Sequence, residues 1–500
     1  MLARFLALPL VIIIMGIGAA SMLVPAIHAA VTDNDPVARS FFYGFVLFGV
    51  VFALISVATS GYKVRRQARS HLLALAATYT VLPAMLAVPF QDAVGDTTFV
   101  NAYFEMVSAL TTTGATLFDP DRLAPSVHLW RAYVGWMGGF FVWITAIAIL
   151  APLNLGGFEV RTEYEPGTGG APNGPVQRVV DPSERLVRFT VRLFPVYGGL
   201  TLILWILLLI AGETPLVAVS VAMSTLATSG IAPEGAISPA GPAGEALIFL
   251  FMIFALSRLT YAADERPEGW RSLGLDPELR LGLVITLTLP LLLFLRHWIG
   301  AFEVDDVENL AAGLGALWGG LFTTLSFLTT TGFVSGSWET AQAWSGLDTT
   351  GLILMGLTVF GGGVATTAGG VKLLRVFALY MHGKREMERL VLPNSVGGTG
   401  RRIRRQGAQI AFIFFMLFAM SIALVMVALT IAGVSFEDAL VLTIAGLTTT
   451  GPLTEVAGST PVAIDTLSPA ARAIFAAAMV LGRLETLAII ALLNPGFWRP

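Results

Sequence analysis

Four short clusters of threonine, serine and glycine recur along the 500-residue chain, and their oxygen atoms could coordinate a cation. The clusters are Thr111-Thr112-Thr113-Gly114, Ala227-Thr228-Ser229-Gly230, Thr329-Thr330-Thr331-Gly332 and Thr448-Thr449-Thr450-Gly451. A cation that sheds its water needs a ring of replacement oxygens, and backbone carbonyls supply these without burying net charge. Glycine frees the backbone so that carbonyls can face one axis, and threonine adds hydroxyl oxygens on a stiff stem. The clusters predict a cation filter.

Each cluster follows a short apolar segment that suits a half-helix. The four segments lie near 99–111, 214–227, 309–329 and 436–448. Segments of about a dozen residues or somewhat more are marginal or too short to cross a hydrocarbon core of about 30 Å, which favours re-entrant helices. Their partially negative C-terminal ends would favour a cation. A single TTTG is weak, since such residues are common at helix contacts in membranes, but four copies in register favour a filter.

Composition places the whole chain in a membrane. The sequence is 55% hydrophobic and 13% charged, with a mean hydropathy of +0.77, whereas a typical soluble domain is about 25% charged. Apolar blocks of spanning length are predicted at ten places. These blocks are 5–26, 41–60, 71–90, 130–152, 190–212, 245–262, 281–300, 350–381, 408–433 and 471–493.

The repeated order of long segment, half-helix, cluster and long segment predicts the fold class. The chain is expected to be an all-α polytopic membrane protein with two N-terminal spans and four repeats of span, pore helix and span around a central pore. About ten transmembrane helices and four re-entrant pore helices result. The predicted divisions are the N-terminal helix pair 1–70, repeat 1 at 71–160, a linker and repeat 2 at 161–275, repeat 3 at 276–400 and repeat 4 at 401–500.

Basic loops set the predicted orientation. Lysine and arginine concentrate in the loops 61–70 and 382–406, which the positive-inside rule assigns to the cytoplasm together with both termini. The basic residues of 382–406 could meet anionic lipid headgroups or a regulatory partner. The first 30 or so residues could be a signal peptide, but their apolar run is longer than the usual 7–15 residues, which favours a retained helix.

Several functional classes have no support in the sequence. The chain contains no cysteine, its five histidines are scattered, and its net charge is −3. Thiolate metal sites are therefore excluded, and nucleic-acid binding is not indicated. Neither a Walker A motif nor a dinucleotide-binding glycine fingerprint occurs. We expect a protein that is not an enzyme and carries no cofactor.

The clusters and their surroundings resemble the superfamily of bacterial potassium transporters that includes the TrkH and KtrB proteins. The resemblance runs from about residue 71 to the end, and the extra N-terminal helix pair is like the TrkH branch. Further segments resemble family landmarks. They are Tyr103-Phe104-Glu105 before the first cluster, Trp136-Met137-Gly138-Gly139 at the predicted start of the second span of repeat 1, and Glu163-Tyr164-Glu165-Pro166-Gly167 beyond it.

The resemblance implies potassium uptake across a bacterial inner membrane, with potassium as the substrate. It assigns potassium binding to Thr111, Thr112, Thr113, Gly114, Thr228, Ser229, Gly230, Thr329, Thr330, Thr331, Gly332, Thr448, Thr449, Thr450 and Gly451. Four glycines fit a preference for potassium, although the second cluster departs most from the common pattern. The resemblance also implies a homodimer on a ring of cytosolic nucleotide-binding regulatory subunits of the TrkA type.

A glycine-rich run interrupts the long segment 350–381. Five of the ten residues 361–370 are glycine, each costing a helix about 1 kcal/mol relative to alanine. The resemblance implies an intramembrane gate here, and close packing between helices is the alternative. The implied gate residues are Gly361, Gly362, Gly363, Thr366, Thr367, Gly369, Gly370, Lys372 and Arg483.

Two charged residues in apolar surroundings complete the candidates. Arg483 should face a partner or the pore, because a membrane-embedded charge is expensive and Glu485, two residues on, faces elsewhere. Glu105, on the first half-helix, is interpreted as a buried anchor for the filter rather than an acid of the outer mouth.

A secondary transporter with alternating access, coupling potassium to sodium or protons, is the alternative function. Such folds often contain inverted repeats. Here all four repeats start on the same side of the membrane, which favours a pore. A purely structural subunit would leave the four clusters unexplained.

Overall fold

A computed structural model describes nine stretches of the chain: residues 8–59, 67–150, 182–233, 241–257, 276–299, 310–347, 349–391, 405–458 and 460–484. These stretches contain helices, turns and loops and no β-strand. The predicted all-α fold is confirmed. The landmark at 163–167 and Glu485 lie outside the described residues.

The N-terminal part forms a helical hairpin. Helices α1 (Leu10–Ser21) and α2 (Leu23–Val31) make one apolar stretch of 22 residues, and α3 (Asp35–Ala58) follows after a short turn. The side chain of Asn34 caps α3 by accepting a hydrogen bond from the backbone N–H of Val37 (3.4 Å). Most of α3 is exposed, as expected of a helix that faces lipid.

Repeat 1 contains the predicted short helix between two longer ones. Helices α4 (Gln67–Thr80) and α5 (Leu82–Val94) form its first span, α6 (Phe99–Leu110) its short helix, and α7 (Pro125–Thr145), extended by a π-helical turn to Leu150, its second span. Thr98 caps α6, and proline opens α7, where no intrahelical donor is needed.

The other three repeats follow the same order. Repeat 2 comprises α8 (Pro182–Ala211), α9 (Pro215–Ala227) and α10 (Pro242–Met252), which a 3₁₀ turn extends to Leu256. Repeat 3 comprises α11 (Pro277–Ile299), α12 (Leu310–Leu328), α13 (Trp338–Ser345), α14 (Thr350–Phe360) and α15 (Leu373–Val391). Repeat 4 comprises α16 (Arg405–Ile431), α17 (Phe436–Thr448), α18 (Leu453–Val456) and α19 (Pro469–Leu484).

The described residues contain six helical stretches long and apolar enough to span a membrane, or seven if the bent pair α13–α14 counts as one. The chain is therefore a multi-pass membrane protein. Within the described residues, not all of the ten predicted spans are continuous apolar helices, and the predicted spans 245–262 and 471–493 continue into residues outside them. One reason is that α7 carries His128 and Arg131 on a face buried within the protein. Another is that the predicted span 350–381 is divided between α14 and α15.

Several predicted boundaries differ from the structure. The third short helix, α12, agrees with the predicted segment 309–329 to within one residue at each end, but Trp136–Gly139 lies in the middle of α7 rather than at its start. Part of the linker predicted after residue 161 belongs to α8, and the start of the predicted loop 382–406 belongs to α15.

Small residues bring the short helices close to their neighbours. In α7, Gly138 lies against the backbone of Leu110, the last residue of α6, so closely that a methyl group would overlap the Leu110 carbonyl oxygen. In the same way Gly482 of α19 lies against the carbonyl of Leu447 in α17. Glycine at such places lets helix backbones approach in a membrane. We number the four Thr/Gly clusters 1 to 4 in chain order. The glycine contacts fix the ends of the short helices just before clusters 1 and 4.

We expect Gly138→Ala to destabilise the protein by about 1–3 kcal/mol, because an added methyl group must push α7 away from α6. Thermal unfolding of the detergent-solubilised protein measures the change. Gly199→Ala is the matched control, since nothing lies within 4 Å of the position that its methyl group would take in α8. Equal melting temperatures for the two variants would contradict the close α6–α7 contact.

Candidate functional site

Each of the four Thr/Gly clusters lies at the C-terminal end of a short helix and has the same local hydrogen bond. The backbone N–H of the third cluster residue donates to the carbonyl five residues earlier. The four bonds are Thr113 to Ser108 (2.9 Å), Ser229 to Ser224 (3.0 Å), Thr331 to Ser326 (2.9 Å) and Thr450 to Ala445 (2.8 Å). The sequence similarity of the clusters therefore extends to their backbone geometry.

The second residue of every cluster is a threonine in the left-handed backbone region. The φ angles are +54° at Thr112, +51° at Thr228, +57° at Thr330 and +54° at Thr449. This conformation is rare for a β-branched residue and costs about 1–3 kcal/mol at each position. It turns the chain sharply away from the helix axis. Tertiary contacts must hold all four threonines in place.

The four clusters form a closed ring. At each boundary the glycine of one repeat lies so close to the next repeat that a methyl group on the glycine would clash. The pairs, in ring order, are Gly114 against the carbonyl of Ser229, Gly230 against that of Thr331, Gly332 against the ring of Pro452, and Gly451 against the carbonyl of Thr113. Repeats 1, 2, 3 and 4 therefore follow one another around the ring, and repeats 2 and 4 face each other.

Cluster 4 departs from the other three. Gly114, Gly230 and Gly332 have φ angles of +79°, +65° and +85°, whereas Gly451 does not have a positive φ. Gly451 precedes Pro452, and a proline restricts the backbone of the residue before it. Cluster 2, which was expected to differ most, keeps the common backbone geometry despite its altered sequence.

The glycine-rich run forms the predicted interruption between α14 and α15. Its two ends lie side by side, since the N–H groups of Val371 and Lys372 donate to the carbonyls of Val359 (2.9 Å) and Phe360 (3.0 Å). The run is buried, and Gly361 and Gly370 have φ angles of +70° and +73°. A continuous helix with small-residue contacts does not fit this geometry. We call residues 361–372 the intramembrane loop.

The intramembrane loop contacts three clusters directly. The hydroxyl of Thr330 accepts a hydrogen bond from the N–H of Gly369 (2.7 Å), and the hydroxyl of Thr228 donates to that of Thr367 (3.2 Å). A methyl group on Gly369 would overlap the carbonyl of Thr448. The loop therefore lies at one end of the ring, against repeats 2, 3 and 4.

Arg483 of α19 joins the loop to clusters 1 and 4. The side chain is only 8% exposed. Its Nε donates to the carbonyl of Thr111 (2.6 Å) and its Nη1 to that of Thr367 (2.8 Å). Its Nη2 donates to the hydroxyls of Thr112 and Thr449, the latter at 3.1 Å. The guanidinium thus donates hydrogen bonds to the left-handed threonines of clusters 1 and 4.

The implied gate residues consequently form one hydrogen-bonded layer. Gly369, Thr367 and Arg483 contact the ring, whereas the ammonium of Lys372 donates within the loop to the carbonyl of Ala368. Thr366 also bonds within the loop, to the carbonyl of Gly363 (2.7 Å). The guanidinium places a positive charge next to oxygens that the sequence assigns to a cation.

Glu278 supports the loop and was missed by the sequence analysis. This buried residue, in the first turn of α11, accepts a hydrogen bond on Oε1 from the N–H of Val364 (2.9 Å). The neighbouring N–H of Gly363 donates to the carbonyl of Ala255 (2.9 Å). An acid near the start of an apolar span can be recognised in a sequence. Its partner cannot, because it is a backbone amide 86 residues away.

Glu105 anchors the loop that follows cluster 1. It is 1% exposed, and its Oε1 accepts hydrogen bonds from the N–H of Leu117 (2.5 Å) and the hydroxyl of Thr116 (2.9 Å). Its Oε2 lies 3.0 Å from Nε of the buried Arg131 in α7. These contacts place Glu105 as an interior anchor and not as an acid of the outer mouth.

Glu245 plays the corresponding part at cluster 3, and sequence analysis missed it as well. Its Oε2 accepts hydrogen bonds from Nε1 of Trp318 (2.7 Å) and the hydroxyl of Ser335 (2.8 Å), and its Oε1 from the N–H of Gly336 (2.7 Å). The carboxylate belongs to repeat 2 and the loop to repeat 3. Its position at the edge of an apolar segment was the available signal.

A cavity of about 30 Å³ adjoins the loop between α4, α7 and α19, lined in part by Tyr79, Lys372 and Arg483. The Tyr79 hydroxyl is buried and has no hydrogen-bond partner in the described part of the chain. A space of this size holds a single water molecule and is too small for a hydrated cation.

The fold and the ring define a four-repeat membrane protein whose ring of Thr/Gly clusters is covered on one side by an intramembrane loop. Residues 268–495 match the family model TrkH, described as a cation transport protein. The Trk system potassium uptake protein TrkH of Salmonella typhimurium is 28% identical over 489 residues, covering 96% of each chain. The Trk system potassium uptake protein TrkI of Halomonas elongata is 29% identical over 447 residues, covering 84% of this chain and 81% of its own.

A solved structure agrees with these sequence matches. The crystal structure of the potassium transporter TrkH from Vibrio parahaemolyticus superimposes with a TM-score of 0.81 at 25% sequence identity, over 100% of both chains. The chain is therefore similar in sequence and in fold to the TrkH cation transport proteins.

We expect Glu105→Ala to destabilise the protein by about 3–5 kcal/mol, because it leaves Arg131 buried without its carboxylate. Glu105→Gln should cost less, since an amide oxygen can still accept from Leu117. Thermal unfolding in detergent measures both changes. Asp96→Ala is the control for an exposed pair, as Asp96 meets Arg122 (2.9 Å) at the surface, where ion pairs contribute little. Equal losses for Glu105→Ala and Asp96→Ala would contradict the anchoring role.

Proposed function

We propose that this chain is the ion-translocating subunit of a potassium uptake system in a bacterial inner membrane. The ring of four clusters, each with a left-handed threonine and closed by glycine contacts, carries this proposal. Such a ring offers many backbone and hydroxyl oxygens at one place without a carboxylate. Dehydrated potassium requires this kind of coordination.

Electrostatics support cation entry into the ring. The C-terminal ends of α6, α9, α12 and α17 adjoin the clusters, and helix C-termini carry partial negative charge. Potassium would bind to the cluster residues 111–114, 228–230, 329–332 and 448–451. No covalent bond is made or broken, so the protein acts as a transporter rather than an enzyme, and potassium is a substrate rather than a cofactor.

The intramembrane loop and Arg483 act as the gate of this pathway. Four hydroxyl contacts hold the loop and the guanidinium against the ring, at Thr112, Thr228, Thr330 and Thr449. Each hydrogen bond has a net contribution of about 0.5–1.5 kcal/mol, or up to about 3 kcal/mol where a charged group takes part. A conformational change that releases the layer must therefore supply several kcal/mol. Binding of a regulatory subunit is a sufficient source.

The names of the relatives point to partners. The relatives are called Trk system potassium uptake proteins, and a system implies more than one component. We therefore propose a homodimer that binds a cytosolic nucleotide-binding subunit of the TrkA type. The exposed Lys384 and Arg385 on α15 suit either such a subunit or anionic lipid headgroups. Both termini would lie in the cytoplasm.

Cation uptake by vesicles tests the function. Purified protein in lipid vesicles should take up potassium in preference to sodium. Gly114→Ser should lower the potassium-to-sodium ratio at least several-fold, since its side chain would clash with the carbonyl of Ser229 and occupy a φ of +79°. Gly199→Ser, with open space around it, is the matched control.

Two outcomes would contradict this proposal. If wild-type vesicles take up no potassium, or if Gly114→Ser and Gly199→Ser have the same ion ratio, the clusters are not the filter. Uptake that requires a sodium or proton gradient would instead support the alternative of coupled symport by alternating access.

Deleting residues 362–368 should raise basal potassium uptake while leaving the protein assembled. The ends of the loop are already joined by backbone hydrogen bonds from Val371 to Val359 and from Lys372 to Phe360, so α14 and α15 can keep their places. Vesicle uptake without a regulatory subunit, together with size-exclusion chromatography, measures the effect. Glu388→Ala, at an exposed position of α15, is the control. Uptake equal to that of the control would show that the loop is not a barrier.

A further inference from the structure

Pro452 lies at the end of the ring opposite the intramembrane loop. Its Cγ is 2.7 Å from the place where a methyl group on Gly230 would be, and 2.9 Å from the corresponding place on Gly332. Gly332 belongs to the adjacent repeat 3, but Gly230 belongs to repeat 2, on the far side of the ring. A side chain of repeat 4 that reaches both glycines must extend across the central axis.

The backbone next to Pro452 contacts the remaining repeat, repeat 1. The N–H of Gly451 donates a hydrogen bond to the carbonyl of Thr113 in repeat 1 (2.5 Å). Residues 451 and 452 together therefore contact all three other repeats. At this end of the ring, the space between the four clusters is filled by the proline ring.

Two carbonyl oxygens of repeat 4 accept hydrogen bonds from within repeat 4 itself. The carbonyl of Gly451 accepts hydrogen bonds from the N–H (2.9 Å) and the hydroxyl (2.8 Å) of Thr454. The carbonyl of Thr450 accepts one from the N–H of Leu453 (3.2 Å). Both oxygens thus form the first turn of α18. At this end of the ring, the carbonyl of Thr113 in repeat 1 is engaged as well, by the N–H of Gly451.

The short helix α18 holds Pro452 in this position. Pro452 precedes the first residue of α18 with helical angles, φ −58° and ψ −13°. The carbonyl of Thr454 accepts a hydrogen bond from the N–H of Val462 (2.8 Å). At the other end of α18, the backbone at Val456 and Ala457 lies against Gly351 of α14. Pro452 can therefore move only together with α18.

We infer that Pro452 is a second barrier to cations, in series with the intramembrane loop, and that it selects the entering ions by size. This inference rests on the proposed potassium uptake. A cation must displace the proline ring to pass between Gly230 and Gly332. A larger dehydrated cation requires a larger displacement of the proline ring. The barrier therefore slows the passage of caesium most, then that of rubidium and potassium, and that of sodium least.

Replacing the ring by a methyl group tests the inference. In vesicles, Pro452→Ala should raise caesium uptake several-fold, potassium uptake less and sodium uptake least, because only the Cγ and Cδ that lie against the glycines are removed. Pro461→Ala is the matched control, since Pro461 is an exposed proline in the same outer segment. A generally loosened structure would instead raise all cations alike.

The effect should also combine with that of the loop in a defined way. The resistances of two barriers in series add, so Pro452→Ala should raise potassium uptake by a larger factor in the 362–368 deletion, where the loop no longer limits the flow, than in the full chain. Unchanged uptake in both backgrounds, or a gain independent of cation size, would overturn the inference.

A stability measurement tests the contact without any transport. Gly332→Ala places its methyl group 2.9 Å from Cγ of Pro452, so Gly332→Ala should destabilise the wild-type protein more than it destabilises Pro452→Ala. The φ strain at residue 332 is common to both backgrounds and cancels in the double-mutant cycle. Additive changes in melting temperature would overturn the steric barrier.

The two proposals fail in different ways. If the wild type transports potassium and Pro452→Ala behaves as Pro461→Ala does, only the second barrier is wrong. If neither the wild type nor the loop deletion transports any monovalent cation, the proposed potassium uptake is wrong, and the double-mutant cycle still decides whether Pro452 closes the ring.

Discussion

The structure depends on a ring of very close backbone contacts between the four repeats. Each cluster glycine lies against a carbonyl oxygen or a proline ring of its neighbour at a distance that excludes a Cβ atom. Such contacts exist only if four short helices end at the same level and the chain then turns sharply. The strained threonines at positions 112, 228, 330 and 449 provide that turn, and the surrounding packing offsets their strain.

Buried charges hold the parts around this ring. Glu105, Glu245 and Glu278 each accept a backbone N–H from a loop that must keep its place, at Leu117, Gly336 and Val364. Arg483 supplies the complementary donors to carbonyl and hydroxyl oxygens. A buried charge is stable only when its hydrogen-bonding capacity is satisfied. The same groups therefore hold the ring and the loop in a single arrangement, in which the loop covers one end of the ring.

Much of the fold was predictable, because the signals are local. Hydropathy located most spans, and the recurrence of Thr-Thr-Thr-Gly located the four short helices and the ring. Glycine content located the break between α14 and α15. The predictions were less accurate where burial within the protein replaces contact with lipid. In α7, His128 and Arg131 lower the hydropathy, and the boundaries of α8 and α15 extend into segments that resemble loops.

By itself the sequence determined the repeat, the residues of the ring, the interrupted helix and the importance of Arg483 and Glu105, because each depends on the chemistry of a few neighbouring residues. Only the tertiary structure decided which repeats adjoin and which hydroxyls contact the loop. Those contacts join residues far apart in the sequence, 39 positions for Gly369 and Thr330 and 139 positions for Thr228 and Thr367. Gly451 and Pro452 are ordinary turn residues in the sequence, and their place across the ring exists only after all four repeats have come together.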